Sequence, residues 1–253
     1  MEDEKMPQSM EGEVQGSQMS VASKSIGVFY EPSKVFGSIV KKSEWWWPFL
    51  ITIILGFAIY YVTLPITSRD MKVSVMKNVE KYRDYMTAEQ YDETIKRIEE
   101  GFADPFKWYT PLIIIAMTII SLLVISLISL VSGNFMFGGK ANFWIIMGVV
   151  AFASLIGLLG DVARSLMILA KGEMAVYTGL GLLKPIDDGS FIFYLFRQID
   201  AFTIWRIIAT AIGLGVIYKM KPNKFAIVLF LVWIIFIALV AAANMFTGGS
   251  IVY

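Results

Sequence analysis

The sequence predicts an all-α, polytopic integral membrane protein: a five-transmembrane-helix bundle with an amphipathic N-terminal helix and a small extramembrane helical hairpin. Two observations carry this prediction. Apolar residues make up 57% of the chain and charged residues only 17%, so there is too little polar surface to alternate with apolar faces throughout, as a soluble domain would. Several uninterrupted apolar runs also approach or exceed the roughly 20 residues needed to cross the hydrocarbon core of a bilayer. The chain contains no Cys and no His. That excludes a disulfide framework and thiolate metal sites, and removes the commonest metal ligand and neutral-pH general base. A net charge of +1 gives no reason to expect nucleic acid as a partner.

Residues 1–25 read as a disordered acidic tail with Glu2, Asp3, Glu4, Glu11 and Glu13 and no apolar periodicity. An acidic start with no apolar core following it is not a signal peptide. Residues 26–44 read as an amphipathic interfacial helix. Pro32 suits a first helical turn, Val35, Phe36, Ile39 and Val40 recur at helical spacing, and Lys34, Lys41 and Lys42 face away. Such a helix can lie on the membrane surface or pack on the bundle's own polar end, and the two are compatible.

The membrane domain spans 45–246. Trp45, Trp46 and Trp47 mark entry into the bilayer and Pro48 falls in the first turn, where it costs little. The first span is read as 45–64. Residues 68–107 form the largest polar insertion, read as two amphipathic helices. One covers Met71 to Tyr85, and the second starts at the capping box formed by Thr87 and Gln90. The second span, 109–131, carries Ser121, Ser126 and Ser129, which can bond to the preceding turn or across helices. A short turn through Gly138, Gly139 and Lys140 leads to the third span, 143–160, where Ala153 and Gly157 form a small-xxx-small pair that allows close helix approach. An amphipathic stretch interrupted by glycines and Pro185 follows. The fourth and fifth spans are read as 202–218 and 225–246, joined by a turn holding Lys219, Lys221 and Lys224, and 247–253 is an uncharged tail.

Five spans put the termini on opposite sides. The lysines before the first span and between the fourth and fifth place the N-terminus in the cytoplasm and the C-terminus outside, in a multi-pass cell-membrane protein. Whichever way the chain is oriented, the end of the third span and the start of the fourth share a leaflet. Asp161, Arg164, Asp200 and Arg206 therefore form a candidate polar cluster at similar depth.

Arg206 is the costliest of these residues. A mid-span arginine costs roughly 3 kcal/mol, and each Leu, Ile, Phe or Val returns about 0.3–0.6 kcal/mol. The fourth span holds eight such residues, so it inserts only marginally. Asp161 is the expected partner and Asp200 the alternative. Asp200 can equally cap the fourth helix. The cluster is either a structural ion pair plus a cap, or a polar pocket for a substrate, lipid headgroup or partner helix. No Gly-rich phosphate loop, nucleophile elbow or zinc-protease signature is present in the sequence. No catalytic residue, cofactor or metal is expected.

Four segments together resemble the Yip1 domain family in its prokaryotic, bacterial form. They are Phe29-Tyr30-Glu31-Pro32-Ser33-Lys34-Val35-Phe36, then Trp46-Trp47-Pro48, then Gly138-Gly139-Lys140-Ala141-Asn142-Phe143, and finally Ile199-Asp200-Ala201-Phe202-Thr203-Ile204-Trp205. Their order and spacing cover about 28–246. Within them Pro32, Phe36, Gly138, Gly139, Asp200, Phe202 and Trp205 are the motif residues. The resemblance implies five spans, a cytoplasmic N-terminus and no established catalytic residues. Eukaryotic members are linked to Rab GTPases, but their Asp-Leu-Tyr-Gly-Pro motif does not occur here. Some bacterial members resemble accessory proteins of ABC-type exporters. The expected function is thus a non-enzymatic scaffold or accessory subunit in a bacterial inner membrane. Its partners would be the bilayer and another membrane protein or a second copy, docked through small-residue faces such as Ala209/Gly213 and Ala238/Ala242. The alternative is a small transporter or channel subunit that uses the polar cluster.

Overall fold

The computed structural model describes residues 19–40, 42–183 and 189–247, with only the backbone at 246 and 247. The expectations that fall on residues 1–18, Lys41, Pro185 and residues 248–253 lie outside the described residues. Within them the chain is all-helical, apart from one isolated bridge between Gly179 and Asp200. Five helices are long and apolar enough to cross a membrane.

The chain is already helical inside the stretch read as a tail. Helix α1 (Val21–Gly27) is capped by Ser20, whose side chain accepts from the Ser23 N–H at 3.1 Å. It is tied down by a buried ion pair, Lys24 Nζ to Glu44 Oε2 at 2.6 Å. Helix α2 (Pro32–Ile39) begins at Pro32, as its spacing requires. Val35, Phe36 and Ile39 are all 0% exposed, in one core with Val149, Phe152, Ala153 and Ala209, while Val40, expected on the same face, is left exposed at the helix end. Of the two placements open for this segment, the structure has α2 docked against the bundle, with Glu31 and Lys34 paired on its outer side at 3.1 Å.

Helix α3 (Trp46–Lys81) runs unbroken for 36 residues, about 54 Å at 1.5 Å per residue. The first span and the first arm of the hairpin are therefore one rod, where the sequence reading separated 45–64 from a helix starting at Met71. Composition changes at Ser68 because the surroundings change from lipid to water, and the backbone has no reason to stop. Pro65 lies inside the helix and removes only one N–H donor. The neighbouring hydroxyls of Thr63 and Thr67 bond back to Ile59 O at 2.8 Å and Thr63 O at 3.2 Å.

Helix α4 (Ala88–Ala103) folds back on the α3 extension. Its capping box is present in both directions, Gln90 N to Thr87 Oγ1 at 3.2 Å and Thr87 N to Gln90 Oε1 at 3.0 Å. The Tyr91 hydroxyl donates to Glu80 Oε2 across the hairpin at 2.6 Å, and that carboxylate raises the phenol's pKa above its ordinary value.

Helices α5 (Thr110–Val131), α6 (Phe143–Lys171), α8 (Ala201–Tyr218) and α9 (Pro222–Thr247) complete the spans, with the short α7 (Phe191–Arg197) packed on α9. Of the serines in the second span, Ser126 and Ser129 turn their hydroxyls back on Leu122 O and Ile125 O at 2.6 and 2.8 Å. α6 continues eleven residues past the Gly160 limit expected from its apolar run and ends at Gly172, whose φ of 67° is the left-handed conformation that suits a glycine C-cap.

α6 is the central rod, packing against α3, α5 and α8, and α9 is laid on α8. Buried residues fill 61% of the apolar window of α6 and 44% of that of α8, against 11%, 17% and 17% for α3, α5 and α9. The chain thus has two ends. At one lie α2, the 132–142 turn and the 219–221 turn. At the other lie the hairpin and the segment between α6 and α8.

Candidate functional site

The polar cluster forms at the second end, where α6 leaves the apolar zone and α8 enters it. Asp200 is the N-cap of α8. Its Oδ1 accepts from the Phe202 and Thr203 amides at 2.9 and 3.0 Å, and its Oδ2 accepts from the Thr203 hydroxyl at 2.6 Å. A carboxylate immediately before an apolar run takes this position because the first helical N–H groups have no intrahelical acceptor. The incoming chain crosses directly over it. The Leu180 N–H donates to Ile199 O at 3.0 Å, and Gly179 lies so close that a Cβ there would sit 2.0 Å from the same oxygen. Only glycine fits that crossing.

Arg206 lies one and a half turns further along α8. Its side chain rests on Gly157 of α6, where an added Cβ would lie 3.2 Å from Nη1 and 3.4 Å from Cδ. One turn out, Gly160 does the same for the Phe202 ring, at 2.9 Å. The small-residue face of the third span thus makes a bed for one guanidinium and one aromatic ring, while Ala153 is fully buried in the core beside Ala209. The Arg206 carbonyl is also held, accepting from the Thr210 hydroxyl at 2.8 Å.

The expected contact between Asp161 and Arg206 is not made. Among the described residues no ion pair within 4.0 Å joins Arg206 to Asp161 or Asp200. Asp161 sits on the exposed side of α6. Arg206 instead lies along the glycine bed, and Asp200 is engaged by its cap. Arg164, one turn beyond Asp161, is half-buried.

Arg197 and Tyr177 belong to this end and were not singled out from sequence. The Arg197 guanidinium lies over the Tyr177 ring at 5.7 Å and the Phe193 ring at 5.5 Å. The usable signal was the aromatic run of α7 ending in an arginine, three residues before the Asp200 cap. Among the described residues no group of acidic side chains is placed to hold a metal ion.

The remaining motif residues build the fold. Phe36 is fully buried, and a Cβ on Gly213 would meet its ring at 2.9 Å and Val149 at 2.4 Å. This corrects the expectation that Ala209 and Gly213 offer a docking face, since α2 and α6 already occupy it. Gly138 has a φ of 69°. A Cβ on Gly139 would lie 2.4 Å from the Tyr218 ring, and one on Gly133 only 2.0 Å from it. Asn134 ties this turn together, taking the Tyr218 hydroxyl at 2.9 Å and the Ala141 amide at 3.0 Å on one oxygen. Trp205 packs on the core around Phe36.

These features define a class: a polytopic helical membrane protein whose central spans are locked by glycine–aromatic contacts and whose span-edge charges Asp161, Arg164, Asp200 and Arg206 share one end. The chain belongs to the Yip1 family, since the Yip1 domain model matches residues 26–243. No curated protein and no solved structure gives a match.

Proposed function

We propose that this Yip1-family protein is a non-enzymatic scaffold or accessory subunit that docks another complex in the cell membrane, such as an ABC-type exporter. The observation that supports this is the uneven use of its spans. α6 and α8 carry the packing, while α3, α5 and α9 leave most of their apolar windows open. On α9 the open residues Ile227, Leu231, Ile234, Ile235 and Leu239 form one side of the helix. Half-buried Ala238 and Ala242 lie along it. Of the two small-residue faces, Ala209/Gly213 is used internally, and we assign the partner helix to Ala238/Ala242 on the fifth span. The lysines at the end bearing the 219–221 turn support a cytoplasmic placement for that end.

The test is a photo-crosslinker at Leu231 or Ile235, followed by purification in mild detergent. A stoichiometric crosslink to the membrane subunit of an exporter supports the proposal. A second reading, a small transporter or channel subunit, draws support from Arg206, a charge held in a span without a contacting carboxylate. It requires solute flux in liposomes that Arg206→Ala abolishes, from protein that purifies without a partner. Reporter fusions at Lys221 and Tyr253 test the orientation, and an inactive cytoplasmic reporter at Lys221 reverses it.

A further inference from the structure

The foot of the hairpin encloses a groove of about 580 Å³ between α3, α4 and the 104–107 segment. That volume lies within the roughly 300–1,000 Å³ of ligand sites. Its lining is divided. Tyr60, Leu64, Met71 and Phe102 give an apolar floor, and Arg97 and Lys107 stand at the rim.

Its depth is marked by aromatics. Tyr61 stacks on Phe106 at 5.5 Å, and Trp108 and Tyr109 follow, both exposed, the residue types that favour the headgroup layer. The rim charges are unequal in availability. Arg97 shares its charge with Glu93 at 2.6 Å. The Asp104 carboxylate is turned onto its own loop, accepting from the Phe106 amide at 2.9 Å. Lys107 has no ion pair among the described residues, and the charged side chains lining the groove, Arg97 and Lys107 against Asp104, leave one net positive charge.

We propose that this groove binds an anionic phospholipid, with the phosphate at Lys107 and Arg97 and an acyl chain laid over Tyr60, Leu64 and Phe102. A zwitterionic lipid fits the floor equally well but brings a second cation to Lys107, so the preference is for net negative headgroups. The proposal stands independently of the scaffold reading.

The test uses the full chain in a neutral detergent, with dioctanoyl phosphatidylglycerol and dioctanoyl phosphatidylcholine titrated separately and bound lipid counted by native mass spectrometry. The expected result is about tenfold tighter binding of the glycerol lipid, from two basic side chains at the interface partly offset by Asp104. The double variant Arg97→Gln/Lys107→Gln removes that preference and leaves the choline lipid unchanged. Gly101 lines the groove, and a Cβ there meets nothing within 4 Å. Gly101→Phe fills the space and weakens both lipids, while its better helix propensity preserves the fold. Equal binding of the two lipids, variants that bind like the parent, or displacement by inorganic phosphate alone would each overturn the proposal.

Discussion

The two ends of the bundle are built by different forces. At the end with the 132–142 turn, contacts are steric. Tyr218 lies on Gly133 and Gly139, stacks on Phe225 at 5.3 Å, and hydrogen-bonds Asn134, while Phe36 fills the space over Gly213. At the other end, polar contacts join the packing over Gly160 and Gly179. Asp200 caps α8, and the α3 extension is pinned by Arg69 Nη2 to Gly172 O and by the Met174 amide to Asp70 Oδ2, both at 2.7 Å. A steric lock has no tolerance, because a packed interior cannot open by a fraction of an ångström without losing contacts throughout. A polar latch loses one bond at a time and leaves the rest in place. Substitutions at the first end should therefore cost more than those at the second.

The largest effect is expected at Gly133. Gly133→Ala places a methyl within the Tyr218 ring, which cannot retreat because Phe225 and Asn134 hold it. The expected loss is roughly 3 kcal/mol, seen as a much lower midpoint of thermal aggregation in detergent. Adding Tyr218→Ala should recover part of that loss, and strictly additive losses would show that the ring is not the obstacle. Next comes Asp200→Ala, expected to cost about 1–2 kcal/mol as a lost cap. Asp200→Asn keeps the acceptor oxygen and should lose much less. An equal loss in both would mean that the charge, and not the cap, is what α8 requires.

Smaller still is Asp70→Asn. It weakens the bond to the Met174 amide by about 1 kcal/mol and leaves the spans untouched. Hydrogen exchange at 172–176 should speed up several-fold with the global melting midpoint almost unchanged. A matching fall in the midpoint would show that the latch supports the whole bundle, erasing the contrast between the two ends.

What was legible in the sequence follows the same division. The five spans were readable because each is a local property of one apolar run, and so was the Thr87 capping box, which needs only four consecutive residues. Asp200 was readable as a cap for the same reason. The continuity of α3 was missed because a change from lipid to water looks, in composition, like a change of element. The Tyr218 lock was invisible because its hydrogen-bond partner Asn134 lies 84 residues away, and a glycine in a turn gives the same local signal whether or not a ring covers it. Gly157 was seen as a small residue suited to close helix approach, yet what approaches it is the Arg206 side chain. Periodicity marks the face but cannot name the occupant.

That occupant sets the smallest expected effect, a coupling and not a loss. Arg206→Asp and Asp161→Arg should each destabilise, the first by placing a carboxylate beside Gly157 and the second by adding a cation near Arg164. If the two charges act only through their longer-range field, the double swap should recover little of the combined loss. A coupling below about 1 kcal/mol is expected, against up to about 3 kcal/mol for residues in contact. Thermal midpoints of the four proteins in one detergent, at low and at high salt, measure it. A weak coupling that fades with salt identifies an exposed Asp161 acting across the headgroup layer. Full rescue that ignores salt identifies a closed pair, and would make this end of the molecule as tightly locked as the other.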